Sequence, residues 1–374
     1  MNKSNCIAIV FNGLYVGGAE KFGISLANKF TSNGYSTTIF LFKKLNSPLL
    51  DQINNNIEIV EINRKSKFDI VLNKQFDEEI NKRNIGKVII IGLLPLFLSR
   101  VLSFKRNKSV SYFISLHSTI PKSFRIYLQD LIYLRFARKT DKVLFICNAQ
   151  ERFFKKIFLF NPKKLDIIYN GVDVDYFDPN ATGLNLNQKA EMQIAVTDKV
   201  ILLVATIRPE KGHSYAIKAL KKLHIKYEDQ KTTHLIFIGG GKEDYINELK
   251  EEISENSLDE FIHFEGNQKD VRKYYGIADI FTLTSFSVET FSIAALEAMS
   301  YGLPISLTNI GGAAEMVFEG KNGLLSKPRD VDSIAASWNA LLNKKFDKNI
   351  IRAIAIEKFS LELMFRKYQE TINS

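Results

Sequence analysis

Two cysteines in 374 residues, Cys6 and Cys147, stand far apart, each inside an apolar run. So few thiols exclude a disulfide-built scaffold and read as two small buried hydrophobes in a reducing compartment. The five histidines are scattered without metal-ligand spacing. No apolar run is long enough to span a bilayer: the longest, residues 88–98, holds Gly92 and Pro95 and stops at Ser99-Arg100, whereas a spanning helix needs about 20 apolar residues. It reads as a buried strand running into a helix. The run 7–11 is too short for a secretory leader and gives way to Asn12-Gly13, so the expected location is the cytoplasm. Low-complexity tracts and internal repeats beyond an α/β design are also missing.

What is present is ordinary in amount. Apolar residues make up 45% and charged residues 25% of the chain, the balance of a globular protein, and the length predicts two or three domains. Strands are predicted at 6–11, 36–42, 57–62, 87–91, 111–116, 142–147 and 166–169, then at 199–205, 234–238, 261–264, 278–283 and 304–307. Helices are predicted at about 214–223, 243–256, 331–343 and 348–372. A strand, the glycines Gly13, Gly17 and Gly18, and a helical pattern (Phe22, Leu26, Phe30) open the chain like a Rossmann half, without dinucleotide spacing.

Charge is uneven. Residues 1–180 hold 27 Lys and Arg against 15 Asp and Glu, a net of +12, while residues 181–374 are close to neutral. Such a front half points to an anionic partner, a lipid surface or a phosphate-bearing acceptor, or else to a basic surface with no partner. Nothing in it matches a nucleic-acid motif. Part of the charge lies at 122–139, where Lys122, Arg125, Arg135, Arg138 and Lys139 interleave with the helical series Phe124, Tyr127, Leu128, Leu131, Ile132 and Phe136. This is either a core-facing helix or one that docks on an anionic membrane.

The most informative stretch is 285–302, SFSVETFSIAALEAMSYG. Ser292 is a predicted N-cap, residues 294–299 are good helix formers, and Gly302 then Pro304 give the stop. Glu289 therefore precedes the helix and Glu297 lies inside it among small apolar side chains, where a carboxylate needs partners. A vicinal diol supplies two hydroxyl donors, and a helix N-terminus suits a phosphate. The alternative is a capped surface helix with two solvated glutamates.

The spacing of Glu289 and Glu297 resembles the E-x7-E segment of retaining GT-B glycosyltransferases of family 4. The resemblance covers nearly the whole chain. Gly17-Gly18-Ala19-Glu20 is similar to the family's first loop, and His117, just past a strand, to a histidine facing sugar or acceptor. Asn170-Gly171-Val172-Asp173 with Phe177 resembles the signature where the first domain ends. Arg208-Pro209-Glu210-Lys211-Gly212 resembles the basic loop whose lysine meets the diphosphate, and Gly266-Asn267 the loop near the base. Two departures stand out: Thr290 replaces the usual Gly after the first Glu, and Thr206 the usual Arg, for which Arg208 is the candidate substitute.

The resemblance implies an α/β, GT-B fold: two Rossmann-like, doubly wound parallel-sheet domains facing across a cleft. The expected domains are 1–178 for the acceptor, a linker at 179–198, 199–358 for the nucleotide sugar, and a C-terminal helix at 359–374 crossing back. It implies a retaining transfer from a nucleotide sugar, taken as UDP-linked, to an acceptor hydroxyl of a surface polysaccharide, lipopolysaccharide or lipid-linked glycan. Glu289, Lys211, His117 and Arg208 are the candidate catalytic residues. Gly17, Gly18, Lys211, Arg208, Asn267, Glu289, Phe291, Ser292, Ile293 and Glu297 are the candidate donor-binding residues. No metal or other cofactor is expected; Asp173-Val174-Asp175 is read as a loop. The expected location is cytoplasmic, with peripheral contact on the inner face of the membrane through the basic half. Competing readings are an epimerase or phosphorylase on the same fold, or a non-catalytic nucleotide-sugar-binding protein.

Overall fold

The computed structural model describes residues 5–15, 17–44, 47, 49–66, 69–100, 109–117, 123–137, 140–180, 188–287 and 289–374. Chain contacts divide it into two units, Met1–Asn170 with Leu361–Ser374, and Gly171–Ser360. In the first, strands β1 (Cys6–Phe11), β2 (Ser36–Leu41), β3 (Glu58–Glu61), β4 (Lys87–Ile91), β5 (Ser111–Leu116), β6 (Lys142–Phe145) and β7 (Leu165–Ile167) form one sheet in the order 3-2-1-4-5-6-7. Every pairing is parallel. The crossovers carry α1 (Gly18–Ser32), α2 (Ile70–Lys82), α3 (Leu93–Arg100), α4 (Phe124–Ala137) and α5 (Asn148–Ile157). Unbroken apolar strands such as β1 are buried along their whole length, as a parallel sheet covered on both faces requires.

The second unit repeats the design. It runs α6 (Gln188–Glu191), β8 (Val200–Val204), α7 (His213–Lys226), β9 (His234–Ile238), α8 (Glu243–Glu255), β10 (Ile262–Phe264), α9 (Arg272–Ile277), β11 (Ile280–Leu283), α10 (Ile293–Ser300), β12 (Ile305–Thr308), α11 (Ala313–Met316), β13 (Gly323–Ser326), α12 (Val331–Leu342) and α13 (Lys348–Phe359). The sheet order is β10-β9-β8-β11-β12-β13, again with parallel pairings. Trp338 of α12 is fully buried and donates to Thr282 Oγ1 of β11 at 2.9 Å, which fixes the helix on the sheet. Its truncation to alanine costs about 3–5 kcal/mol.

Both sheets wind outward from an inner pair, β1 beside β4 and β8 beside β11. At such a switch point the loops leaving the two strands diverge and open a crevice at the carboxyl edge. In the second unit those loops are 205–212 and 284–292.

The helix predicted at 348–372 is two helices, α13 and α14 (Leu361–Asn373), broken at Ser360 where ψ is 149°. Val172 N–H donates to Phe359 O at 2.9 Å and Val172 bridges Ser360, so the backbone there serves a β-like pairing instead of the helical ladder. α14 belongs to the first unit, where Tyr368 is fully buried and Glu362 pairs with Lys29 at 2.7 Å. The units divide at Asn170/Gly171 rather than at 178. Arg352 of α13 explains the position: its guanidinium donates to the carbonyls of Val174 and Phe177 and to Asp178 Oδ2, at 2.9, 3.3 and 2.7 Å. The expected linker holds the short helix α6. Its residues 181–187 lie outside the described residues, as do Ser118 and Thr119 after His117 and Lys122, Arg138 and Lys139 of the basic segment. Among the described residues no helix is long and apolar enough to cross a membrane.

Candidate functional site

After β8 the chain passes the glycine turn 239–241, where Ile207 N–H donates to Gly240 O at 2.8 Å, and then makes a single 3-10 turn, Pro209–Lys211. Gly212 follows with φ +75°, and a Cβ there would lie 2.1 Å from Thr284 O. Only glycine combines that backbone with so close an approach. Thr284 Oγ1 donates to Gly212 O at 2.8 Å and Phe286 N–H to Glu210 O at 3.1 Å. The two switch-point loops are thereby tied together, and Lys211 Nζ meets Glu289 Oε2 at 2.7 Å, with the side chains 15% and 19% exposed. Ser285 Oγ lies 3.4 Å from the same carboxylate oxygen.

The loop carrying Glu289 is held from its other side. Gly311 has φ +54°, and a Cβ on it would lie 1.8 Å from Glu289 O; Gly312 N–H donates to Thr290 O at 2.8 Å. Thr290 itself has no left-handed backbone, so its replacement of the usual glycine introduces no strain of that kind. Ser292 caps α10 as predicted, its hydroxyl accepting from Ala295 N–H at 3.2 Å. Gly302, φ +74°, follows the helix.

Glu297 is 5% exposed, deeper than the sequence implied. Its partner is Tyr275 of α9, whose hydroxyl lies 2.8 Å from Glu297 Oε2 and 3.1 Å from Ala294 O. Burial, and then the nearby carboxylate, push the Tyr275 phenol well above its usual range, so it stays a donor. Tyr275 is a candidate residue absent from the predicted set. A tyrosine in an apolar run before a strand reads as core, and the only signal for it is that a buried Glu297 requires a donor. Tyr301 stacks on Tyr275 at 5.7 Å, and Arg272 lies over Tyr176 at 4.1 Å while pairing with Asp270 at 2.6 Å.

The other candidates fall as follows. Arg208 is on the lysine loop, half-exposed, with Nη1 3.6 Å from Glu210 Oε1 and a buried Nε without a partner. Asn267 holds the glycine turn, accepting from Gly240 N–H at 2.8 Å. Phe291 packs on Phe359 at 5.7 Å and Ile293 opens α10. Gly17, Gly18 and His117 belong to the first unit. Gly17 and Gly18 form the start of α1 at the carboxyl edge of β1. His117 follows β5; its Nε2 lies 2.9 Å from Ser115 Oγ, which also meets Tyr368 OH at 2.9 Å, and Phe22 packs on its ring at 4.3 Å. This crowding lowers the imidazole to about 3 and keeps it neutral at pH 7. Asp173 Oδ1 accepts from Tyr176 N–H at 3.0 Å, so the Asp173-Val174-Asp175 sequence forms a turn.

Two family models match the chain, Glycosyltransferase Family 4 over residues 16–176 and Glycosyl transferases group 1 over residues 185–357. An uncharacterized glycosyltransferase of Methanocaldococcus jannaschii is 28% identical over 216 residues, 56% of this chain and 53% of that one, so the match spans about half of that relative. A UDP-Gal:alpha-D-GlcNAc-diphosphoundecaprenol alpha-1,3-galactosyltransferase of Escherichia coli is 25% identical over 81% of this chain and 73% of its own. Among solved structures, a glycosyltransferase of Rickettsia africae superposes with TM-score 0.82 and 25% identity, covering 100% of this chain and 98% of that one. Anabaena HepE in complex with UDP-glucose superposes with TM-score 0.84 and 20% identity, over 98% and 99%. With its front and back halves matched by these two models and its two parallel sheets wound alike, the chain belongs to the family 4 glycosyltransferases, enzymes of GT-B fold.

Proposed function

We propose that the protein transfers a sugar from a UDP-sugar to a hydroxyl of a lipid-linked or surface glycan, with retention at the anomeric carbon. The observation that carries this reading is the contact of Lys211 with Glu289 beside the start of α10, a helix whose interior holds the buried Glu297. As the glycosidic bond breaks, its electron pair leaves on the diphosphate, and positive groups must meet the growing charge. Lys211 supplies a full charge, and the N–H groups of Phe291, Ser292 and Ile293 the partial charge of a helix start. Arg208 is within the same loop. Glu297 takes the ribose hydroxyls. Glu289 holds Lys211 and turns to the sugar hydroxyls when the diphosphate takes the ammonium.

With Glu297 committed to the ribose, Glu289 and Glu297 are not a double-displacement pair. The acceptor oxygen then bonds to the face from which the diphosphate departs, and its proton passes to the leaving group. Gly17, Gly18 and His117 serve the donor phosphates and the acceptor in this reading, and no divalent ion is required. A nucleotide-sugar donor is supported by the UDP-glucose complex of HepE, and a lipid-diphosphate acceptor by the name of the E. coli relative. The test is a panel of UDP- and GDP-sugars with a lipid-linked acceptor in the presence of EDTA, the product's anomeric configuration read by proton NMR. Acceptor-dependent UDP release with retained configuration is expected. An inverted product refutes retention, epimerised sugar without acceptor points to an epimerase, and binding without turnover to a non-catalytic protein.

A further inference from the structure

Phe124, Leu128 and Ile132 of α4 are 74%, 47% and 56% exposed, and Ile157 and Leu159 at the end of α5 are 41% and 79% exposed. On a helix of 3.6 residues per turn, Phe124, Leu128 and Ile132 fall within an arc of about 80°. That arc lies opposite the buried Tyr133, Leu134 and Ala137. The two groups adjoin: Tyr127 OH donates to Ile157 O at 3.2 Å, and the Tyr127 ring stacks between Phe124 at 6.2 Å and Phe158 at 5.2 Å. Scattered exposed apolar residues are ordinary, whereas a contiguous stripe marks a contact surface.

Charge selects the partner. Arg125 and Arg135 are exposed on α4, and Lys155 and Lys156 in the last turn of α5. Glu151, the one acid of α5, is buried and already paired with Lys155. An apolar stripe rimmed by cations fits the headgroup boundary of an anionic bilayer, where apolar side chains enter the acyl region and cations meet lipid phosphates. Asp130, the acid of α4, is half-buried and falls on the side of the helix away from the stripe, so the exposed charges beside the stripe are basic and favour an anionic surface over a protein partner of mixed charge.

We infer that the outer face of α4 and the end of α5 dock the protein on an anionic lipid surface. None of these residues is assigned to the donor or the acceptor, so the two readings fail independently. The test is co-sedimentation of the full chain with phosphatidylglycerol-containing vesicles and with pure phosphatidylcholine vesicles, each at low and high salt. Wild type is expected to pellet with the anionic vesicles alone and to be released by salt. The pairs Phe124→Ser with Ile132→Ser, and Arg125→Glu with Lys156→Glu, are each expected to weaken partitioning at least about tenfold. Their melting shifts with UDP stay unchanged, because every substituted side chain is on the surface of the first unit. Equal binding to both vesicle types, or equal binding by wild type and variants, overturns the inference. So does a wild-type dimer in solution that the serine pair dissociates, which makes a second copy the occupant.

Discussion

Replacing Lys211 with alanine separates the structural and chemical roles of the pair at the switch point. The lysine meets Glu289 at 2.7 Å with both side chains mostly covered. Removing one partner of a fully buried pair costs about 3–5 kcal/mol, while an exposed pair contributes about 0–1 kcal/mol. At 15% and 19% exposure this pair falls between, and we expect a loss of about 2 kcal/mol because, among the described residues, the Glu289 carboxylate keeps the distant Ser285 hydroxyl as its side-chain partner. For a unit of this size that is a fall in Tm of about 4–8 °C. Glu289→Ala added to Lys211→Ala removes the stranded charge, so a double-mutant cycle in urea should return a coupling of about 1–2 kcal/mol. Turnover behaves differently. If Lys211 meets the departing diphosphate, its loss lowers kcat by about 10²–10³, and the second substitution restores none of it. The assays are urea titration and acceptor-dependent UDP release at saturating donor. A coupling near zero, or a Lys211→Ala enzyme within about threefold of wild-type kcat, refutes the reasoning.

Three further outcomes follow from named contacts. Tyr275→Phe removes the hydroxyl at 2.8 Å from Glu297 Oε2; with a hydrogen bond to a charged group worth about 1.5–3 kcal/mol, UDP affinity by calorimetry should weaken about tenfold, as it should for Glu297→Gln, and an unchanged Kd in both removes Glu297 from the site. Gly311→Ala places a methyl against Glu289 O and adds an unfavourable φ, so the carboxylate must move and kcat should fall with little change in the far-UV spectrum; full activity shows that the loop position does not matter. His213 is fully buried at the start of α7 and held neutral, its imidazole lowered to about 3 by burial and then by Lys211. Between the ordinary value near 6.5 and that value the unfolded chain binds the extra proton, so stability should fall as pH drops from about 6.5 toward 3 and stay flat above. His117, lowered in the same way, adds to that slope, so His213→Leu should reduce it without abolishing it in urea titrations at stepped pH, and an identical slope refutes the assignment.

Strands such as β1, β8 and β9 could be read because each is an apolar run buried along nearly all of its length, and α10 because Ser292 and Gly302 punctuate it; β13, which is short and opens on Gly323, goes unpredicted. α2 passes unpredicted although Leu72, Phe76 and Ile80 carry its period and are all buried; the polar residues between them dilute the pattern. The break at Ser360 has no glycine or proline to announce it. It comes from Val172, a residue remote in sequence that takes over the backbone at Phe359 and Ser360. Tertiary competition of this kind leaves no local trace.

The same distinction governs the site. Lys211 and Glu289 each stood out by likeness to known motifs, yet nothing in their local sequences says that they touch. Topology does. Once β8 and β11 are neighbours in a parallel sheet, the loops after them leave the same edge side by side. The remaining freedom is taken up by Gly212, seated on Thr284 O, and Gly311, seated on Glu289 O. The charged pair is therefore a product of strand order and two glycines, and the chemistry at this edge depends on the backbone contacts at least as much as on the ionised side chains.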